Sequence, residues 1–270
     1  MSPSASSVAQ RIWMRFTPAQ RLARFAVYLA IVAAIVWSAQ SVEVIPEFLV
    51  DAPEQVVDLV TRMWPPEWES YPDTIHAALI ETIHIATLGT LLSLLLALPV
   101  GVLAANNLVR STPINLVAKL ILVSSRSVNS LVWALLFVGI FGPGALAGTL
   151  AIAFRSIGFV GKLFGEALEE AQPGPIEALT ASGAPWMSRL TFGYWPQVEP
   201  AFWSIALFRW DINIRESAVL GLVGAGGIGM TLDSALNLFQ WPRVAVILIA
   251  IFAVVIIAEV VVTQVRRRVI

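Results

Sequence analysis

Long apolar stretches, broken by short polar or glycine and proline segments, occupy most of the chain. Six of them approach the ~20 residues that an α-helix needs to cross the hydrocarbon of a bilayer. They run from Phe25 to about Val42, Ala77 to Ala105, Ser127 to Phe141, Ala145 to Phe164, Val198 to Val223 and Val244 to Val265. The third is short alone, and the amphipathic stretch Asn115 to Ser125 before it is expected to extend it as a tilted helix. This pattern predicts an all-α, polytopic membrane protein of about six transmembrane helices. A short segment, residues 1–24, would precede one membrane domain over residues 25–270. The first apolar run is longer than the ~7–15 residues of a signal-peptide core and ends without a small-x-small cleavage site, so it reads as a retained span.

Composition sharpens this picture. Of 270 residues, 57% are hydrophobic and only 13% charged, and the mean hydropathy is +0.78, outside the range of soluble domains. A net charge of −1 provides no overall basic field for nucleic acid. Cysteine is absent, which excludes disulfide frameworks, thiolate nucleophiles and Cys-based zinc sites.

Charge matters by location. Lys and Arg near the ends of spans mark the cytoplasmic side. Arg11, Arg15, Arg21 and Arg24 precede the first span, and Arg266, Arg267 and Arg268 follow the last. Both termini are therefore expected in the cytoplasm. Between the first two spans, Glu43, Glu47, Asp51, Glu54, Asp58, Glu67, Glu69 and Asp73 face a single basic residue, Arg62, so this connection belongs outside. With six spans, the Asn106 to Lys119 connection, with Arg110 and Lys119, and a long loop over about 165–194 fall inside. The Gly142-Pro143-Gly144 turn and the Gly224 to Pro242 segment fall outside.

The long inner loop carries the most information. Pro175 suits the first turn of a helix, Gly183 suits a left-handed break and Pro196 stands where the chain re-enters the membrane. Two short helices across a turn, held outside the bilayer, call for something to dock onto. Here the sequence resembles the permease subunits of bacterial binding-protein-dependent ABC importers. Their cytoplasmic signature begins Glu-Ala-Ala, places Gly six residues after the Glu and ends in an apolar-x-Leu-Pro group. Glu177, Ala178, Gly183 and Pro196 fall at matching positions, while Leu179, Gly193 and Trp195 depart from the pattern.

Further stretches are similar to phosphonate importer permeases in particular: Ser127 to Val138, Ile157 to Leu168, Pro173 to Leu179 and Val219 to Gly229, within a resemblance running from about Glu81 to the C-terminus. The resemblance implies an ABC importer type I permease core of five spans plus one extra, in a bacterial inner membrane. It implies a dimer with a second permease subunit, identical or paralogous, two copies of an ABC ATPase and an extracytoplasmic substrate-binding protein. ATP and Mg would be bound by the ATPase, and this chain would carry no cofactor of its own. Glu177, Ala178, Gly183, Ala184 and Arg189 would form the surface that couples to the ATPase. The implied cargo is a phosphonate or related oxyanion, with an amino acid such as methionine as the alternative.

The chain has no nucleotide-binding motif of its own. Gly224-Ala-Gly-Gly-Ile-Gly229 satisfies G-x-G-x-x-G, but an apolar span precedes it rather than the strand of a βαβ unit, and no G-x-x-x-x-G-K-[ST] occurs. His76 and His84 lack metal-site spacing, and no constellation suggests a membrane enzyme. Charged side chains at membrane depth are costly and face a cavity or a partner. Arg155 in the fourth span and Arg209 and Asp211 in the fifth, with Arg126 and Asn129 at the start of the third, are the candidate pathway residues. Asp211 and Arg215 stand at i,i+4 and can pair, and Glu259 is expected to pair near the cytoplasmic surface. Arg209 and Glu216 share a face but are expected to lie beyond contact, and Arg155 has no acid at helical neighbour spacing.

Overall fold

Residues 16–42, 46–109 and 111–269 are described by the computed structural model, and every regular element among them is helical. Arg11, Arg15, Glu43, Arg110 and the side chain of Arg268 lie outside the described residues. The chain divides into two compact units, residues 1–58 and 59–270.

In the first unit, α1 (Pro18–Ser41) opens on a capping box. Thr17 Oγ1 accepts from the Gln20 amide and Gln20 Oε1 accepts from the Thr17 amide. None of its 24 residues is buried, and a helix that is apolar all round and exposed all round is matched to lipid. It begins at Pro18, seven positions before the apolar run. The acidic connection, read from sequence only as an outer loop, contains a second helix, α2 (Pro46–Arg62), which runs across the division between the units. Glu47, Asp51, Glu54 and Asp58, at intervals of four, three and four, follow one side of it.

In the second unit, a π-helical turn at Tyr71–Ile75 leads into α3 (His76–Ala104), followed by α4 (Thr112–Ser127), α5 (Ser130–Phe141) and α6 (Ala145–Glu169). The expected tilted extension of the third span is not what forms: α4 and α5 are bent by 91°. Val128 and Asn129 are both extended, and the Asn129 side chain accepts from the Leu131 amide at 3.0 Å, capping α5 afresh. The inner loop holds α7 (Pro173–Ala181), the single turn α8 (Trp186–Ser188) and a π-helical turn at Arg189–Tyr194 that runs into α9 (Trp195–Leu220). A short helix, α10 (Ile228–Asn237), follows the glycine-rich segment, and α11 (Trp241–Val269) ends the unit.

Packing centres on α6, which lies against α3, α4, α5 and α9. Small residues permit this because association in lipid relies on close backbone approach rather than on expulsion of water. A Cβ added at Gly101 of α3 would stand 2.9 Å from the Gly161 carbonyl of α6, and one added at Gly158 would stand 2.3 Å from the Leu122 carbonyl of α4. The helix ends assigned to one side of the membrane also meet. At one end of the bundle, Asn106 Nδ2 donates to Glu169 Oε1 at 2.7 Å and Lys119 Nζ to Asn106 Oδ1 at 2.8 Å. At the opposite end, the Gly144 amide donates to the Gly224 carbonyl at 2.9 Å.

Among the described residues, four helices are long and apolar enough to cross a membrane alone, counting α3 with its leading turn, and the total is six when each bent pair is one span. The second bent pair, at 42°, joins the run from Trp186 through α9 to Val223 with α10. It carries the charges that the sequence placed on the fifth span.

Candidate functional site

Arginines from three helices converge on one cleft. Arg126 at the end of α4, Arg155 halfway along α6 and Arg209 in α9 line a space of ≈ 460 Å³ together with Val123, Ser127 and Phe159, and no carboxylate is among these lining residues. Backbone interlocking sets their positions. The Ser125 hydroxyl of α4 stands between the Phe154 carbonyl and the Gly158 amide, an i, i+4 pair of α6, donating to the first and accepting from the second. This fixes α4 one residue before Arg126 and α6 one residue before Arg155.

Arg209 is only 3% exposed, and its orientation is held by a buried polar chain. Its Nε donates to Ser156 Oγ at 2.8 Å, Ser156 Oγ donates to Asn213 Oδ1 at 3.3 Å, and Asn213 Nδ2 donates to Thr90 Oγ1 at 2.7 Å. Buried polar groups linked in this way specify one arrangement, because an unpaired member would be costly. The guanidinium also lies over the Phe159 ring at 5.5 Å.

Glu216 changes two expectations. Arg209 Nη2 lies 3.4 Å from Glu216 Oε2, so residues seven apart do touch, because two long side chains lean toward each other across about two turns of helix. Arg155 has no acid at neighbour spacing on its own helix but pairs with Glu216 Oε1 from α9. One carboxylate therefore gives one oxygen to each arginine. Sequence spacing reports neighbours within a helix and is blind to this pairing between helices.

A second cleft, of ≈ 320 Å³, shares Arg155 and adds Asn129, Ser130, Arg215 and Glu216. A third, of ≈ 300 Å³, shares Val123 and Arg126 with the arginine cleft and reaches Lys119, Lys162, Glu166 and Glu169 at the inner helix ends. The second and third clefts each share lining residues with the arginine cleft. Asn129 lines the second, the outer one in the orientation expected from the sequence, while capping α5. Asp211, expected in the pathway, is buried, pairs with Arg215 as its spacing predicted, and is not among the lining residues of these three clefts. Glu259 is exposed and has no ion pair among the described residues, so its expected pair near the inner surface does not form.

The inner loop forms the expected turn. α7 ends in a Schellman arrangement, with the Ala184 amide donating to the Leu179 carbonyl and the Gly183 amide to the Thr180 carbonyl, each at 3.0 Å. Gly183 has φ +76°, the left-handed region that favours glycine. Ile176 and Leu179 pack on Gly193 of the π-helical turn, where an added Cβ would stand 3.2 Å from Leu179 Cδ1. Gly193, a departure from the family signature, thus lets α7 lie close on the re-entering chain. Glu177, Ala178 and Gly183 are exposed, Ala184 and Arg189 are partly buried, and Trp186 and Met187 present 42% and 62% of their surface.

Residues 97–270 match the family described as binding-protein-dependent transport system inner membrane component. The chain belongs to this family. Its relatives include the phosphate-import permease protein PhnE of Mycolicibacterium smegmatis, 36% identical over 234 residues, 87% of this chain and 44% of that protein. They also include the phosphite transport system permease protein PtxC of Stutzerimonas stutzeri, 38% identical over 204 residues, 76% of this chain and 74% of that protein. The chain thus spans less than half the length of the first and about three quarters of the second. The fold is that of the inward-facing MetNI methionine ABC transporter, with a TM-score of 0.66 at 20% identity over 75% of this chain and 99% of that one. The family's members are inner-membrane components of binding-protein-dependent transport systems, and the described residues of this chain are all-helical.

Proposed function

We propose that this permease carries a phosphonate, phosphite or related phosphorus oxyanion inward by alternating access, driven by two copies of a separate ABC ATPase that bind ATP and Mg. An extracytoplasmic binding protein delivers the cargo. A second permease subunit, identical or paralogous, faces the clefts from the opposite side, and both termini lie in the cytoplasm. The observation that carries the reading is the convergence of Arg126, Arg155 and Arg209 on a cleft without a lining carboxylate. An oxyanion leaving water loses hydration that only donors or positive charge can replace. The planar guanidinium offers paired hydrogen bonds to it and stays charged when partly buried. The relatives named for phosphate and phosphite transport support the same cargo class. A zwitterionic amino acid needs no such excess of positive charge.

The exposed Glu177–Ala178 face, the Gly183 turn, Ala184 and Arg189 form the ATPase-coupling surface in this reading, with the partly exposed Trp186 and Met187 as apolar anchors. The test is reconstitution of the permease with its ATPase and binding protein in proteoliposomes. ATP-dependent uptake of labelled phosphite or methylphosphonate, without uptake of methionine, is expected. Uptake of methionine without either oxyanion would contradict the reading.

A further inference from the structure

The cleft series has a partition, and its position suggests a role for Glu216. Of these two clefts, Arg126 and Arg209 line only the arginine cleft, Glu216 lines only the outer one, and Arg155 lines both. The Arg155–Glu216 ion pair is thus the boundary between the two spaces, and Glu216 Oε2 reaches past it to Arg209 Nη2 at 3.4 Å. Its carboxylate presents two acidic oxygens to two guanidinium groups. A phosphorus oxyanion would present the same thing. Resting on the oxyanion reading above, we propose that Glu216 is a resident counterion of the pathway: it occupies the two arginines when no cargo is present and is displaced from them as the oxyanion passes from the outer cleft to the inner one.

The charge balance favours a competitor over a fixed tie. With Arg155 and Arg209 shared by one carboxylate, the trio keeps one net positive charge, and Arg126 adds a second on the inner side. An incoming anion is drawn inward yet meets Glu216 already on its ligands. A pathway has to release its cargo, and a built-in competitor weakens retention without removing the attraction. Glu216 is 17% exposed by side chain, open enough to swing from the pair toward the outer cleft, whereas Arg209 is held by Ser156 and stays in place.

The test uses the intact transporter in lipid nanodiscs without binding protein, with inorganic phosphite as the probe, alongside uptake in proteoliposomes. Glu216→Gln removes the competing charge. It should hold phosphite at least about tenfold more tightly than the native protein, a difference of about 1.4 kcal/mol, while uptake falls because release slows. The exchanged pair Arg155→Glu with Glu216→Arg restores an ion pair at the boundary and guards against failed assembly. It should assemble normally and lose phosphite retention, because Arg155, the cation shared by the two clefts, is replaced by a carboxylate that faces the remaining arginines. Unchanged or weaker retention in Glu216→Gln would overturn the proposal, as would an exchanged pair that retains phosphite like the native protein. If Glu216→Gln fails to assemble, Glu216→Asp decides: its shorter reach frees one guanidinium and should tighten retention severalfold, and native retention there would overturn the role. Should Arg155→Gln and Arg209→Gln abolish uptake while Glu216 variants retain phosphite normally, the counterion role falls and the oxyanion reading stands. Normal uptake in those arginine variants would remove both.

Discussion

Replacing Gly183 by valine isolates the coupling turn from the rest of the molecule. Gly183 sits at φ +76°, and a Cβ added there would meet nothing within 4 Å. The substitution therefore brings conformational strain without a clash. For a residue with a Cβ the left-handed region costs about 1–2 kcal/mol, and a β-branched side chain is at the unfavourable end. At about 1.4 kcal/mol per decade, the equilibrium between the native turn joining α7 to α8 and its opened forms shifts about tenfold toward the opened forms. The two bonds that close it, from the Ala184 and Gly183 amides, are lost together. Membrane insertion and the arginine clefts should be untouched, because no buried contact involves this residue. Binding-protein-stimulated ATP hydrolysis and uptake, measured in proteoliposomes at equal permease content, should each fall by about tenfold. Gly183→Asn, which tolerates the left-handed region, should stay within about threefold of the native protein. Full stimulated hydrolysis and uptake in the valine variant, or an equal loss in the asparagine variant, would refute the reasoning.

Two further outcomes follow from packing and charge. Gly158→Ala would place a Cβ 2.3 Å from the Leu122 carbonyl, forcing α4 off α6 beside Arg126; a destabilisation of about 1–3 kcal/mol, read as a lowered melting temperature in detergent, is expected, and an unchanged melting temperature would contradict the close approach. Single cysteines in place of Glu54 and Arg267 should react with a membrane-impermeant reagent from opposite sides of the membrane, and labelling of both from one side would overturn the topology.

The features legible in the sequence were the local ones. The Gly183 turn, the Asp211–Arg215 pair and the unbroken apolar helices each depend on residues within a few positions of one another, and each forms as read. What escaped depends on orientation between helices or on caps inside an apolar run. The 91° bend lies in a stretch whose hydropathy continues across it, and its signal was Asn129, a capping residue type that was weighed only as a pathway group. The helical content of the acidic connection escaped because its charges identified a side of the membrane and drew attention from their helical spacing. Glu216 reaches Arg209 through the length of both side chains, which residue separation does not report, and reaches Arg155 through the alignment of α6 with α9, which one sequence does not carry. The convergence of Arg126, Arg155 and Arg209, by contrast, was foreshadowed by the cost of charge at membrane depth, although the sequence could not tell a shared cleft from separate ties.

The central claim is that this cleft conducts an oxyanion, and the measurement that tests it most directly is phosphite uptake by the Arg155→Gln, Arg209→Gln and double variants at equal membrane abundance, with assembly on the ATPase checked in parallel. Each single variant should lose at least about tenfold, equivalent to about 1.4 kcal/mol of barrier, and the double variant more, while assembly persists. Near-native uptake in all three would contradict the claim, and failed assembly in all three would show the arginines to be ties between helices rather than the lining of a pathway.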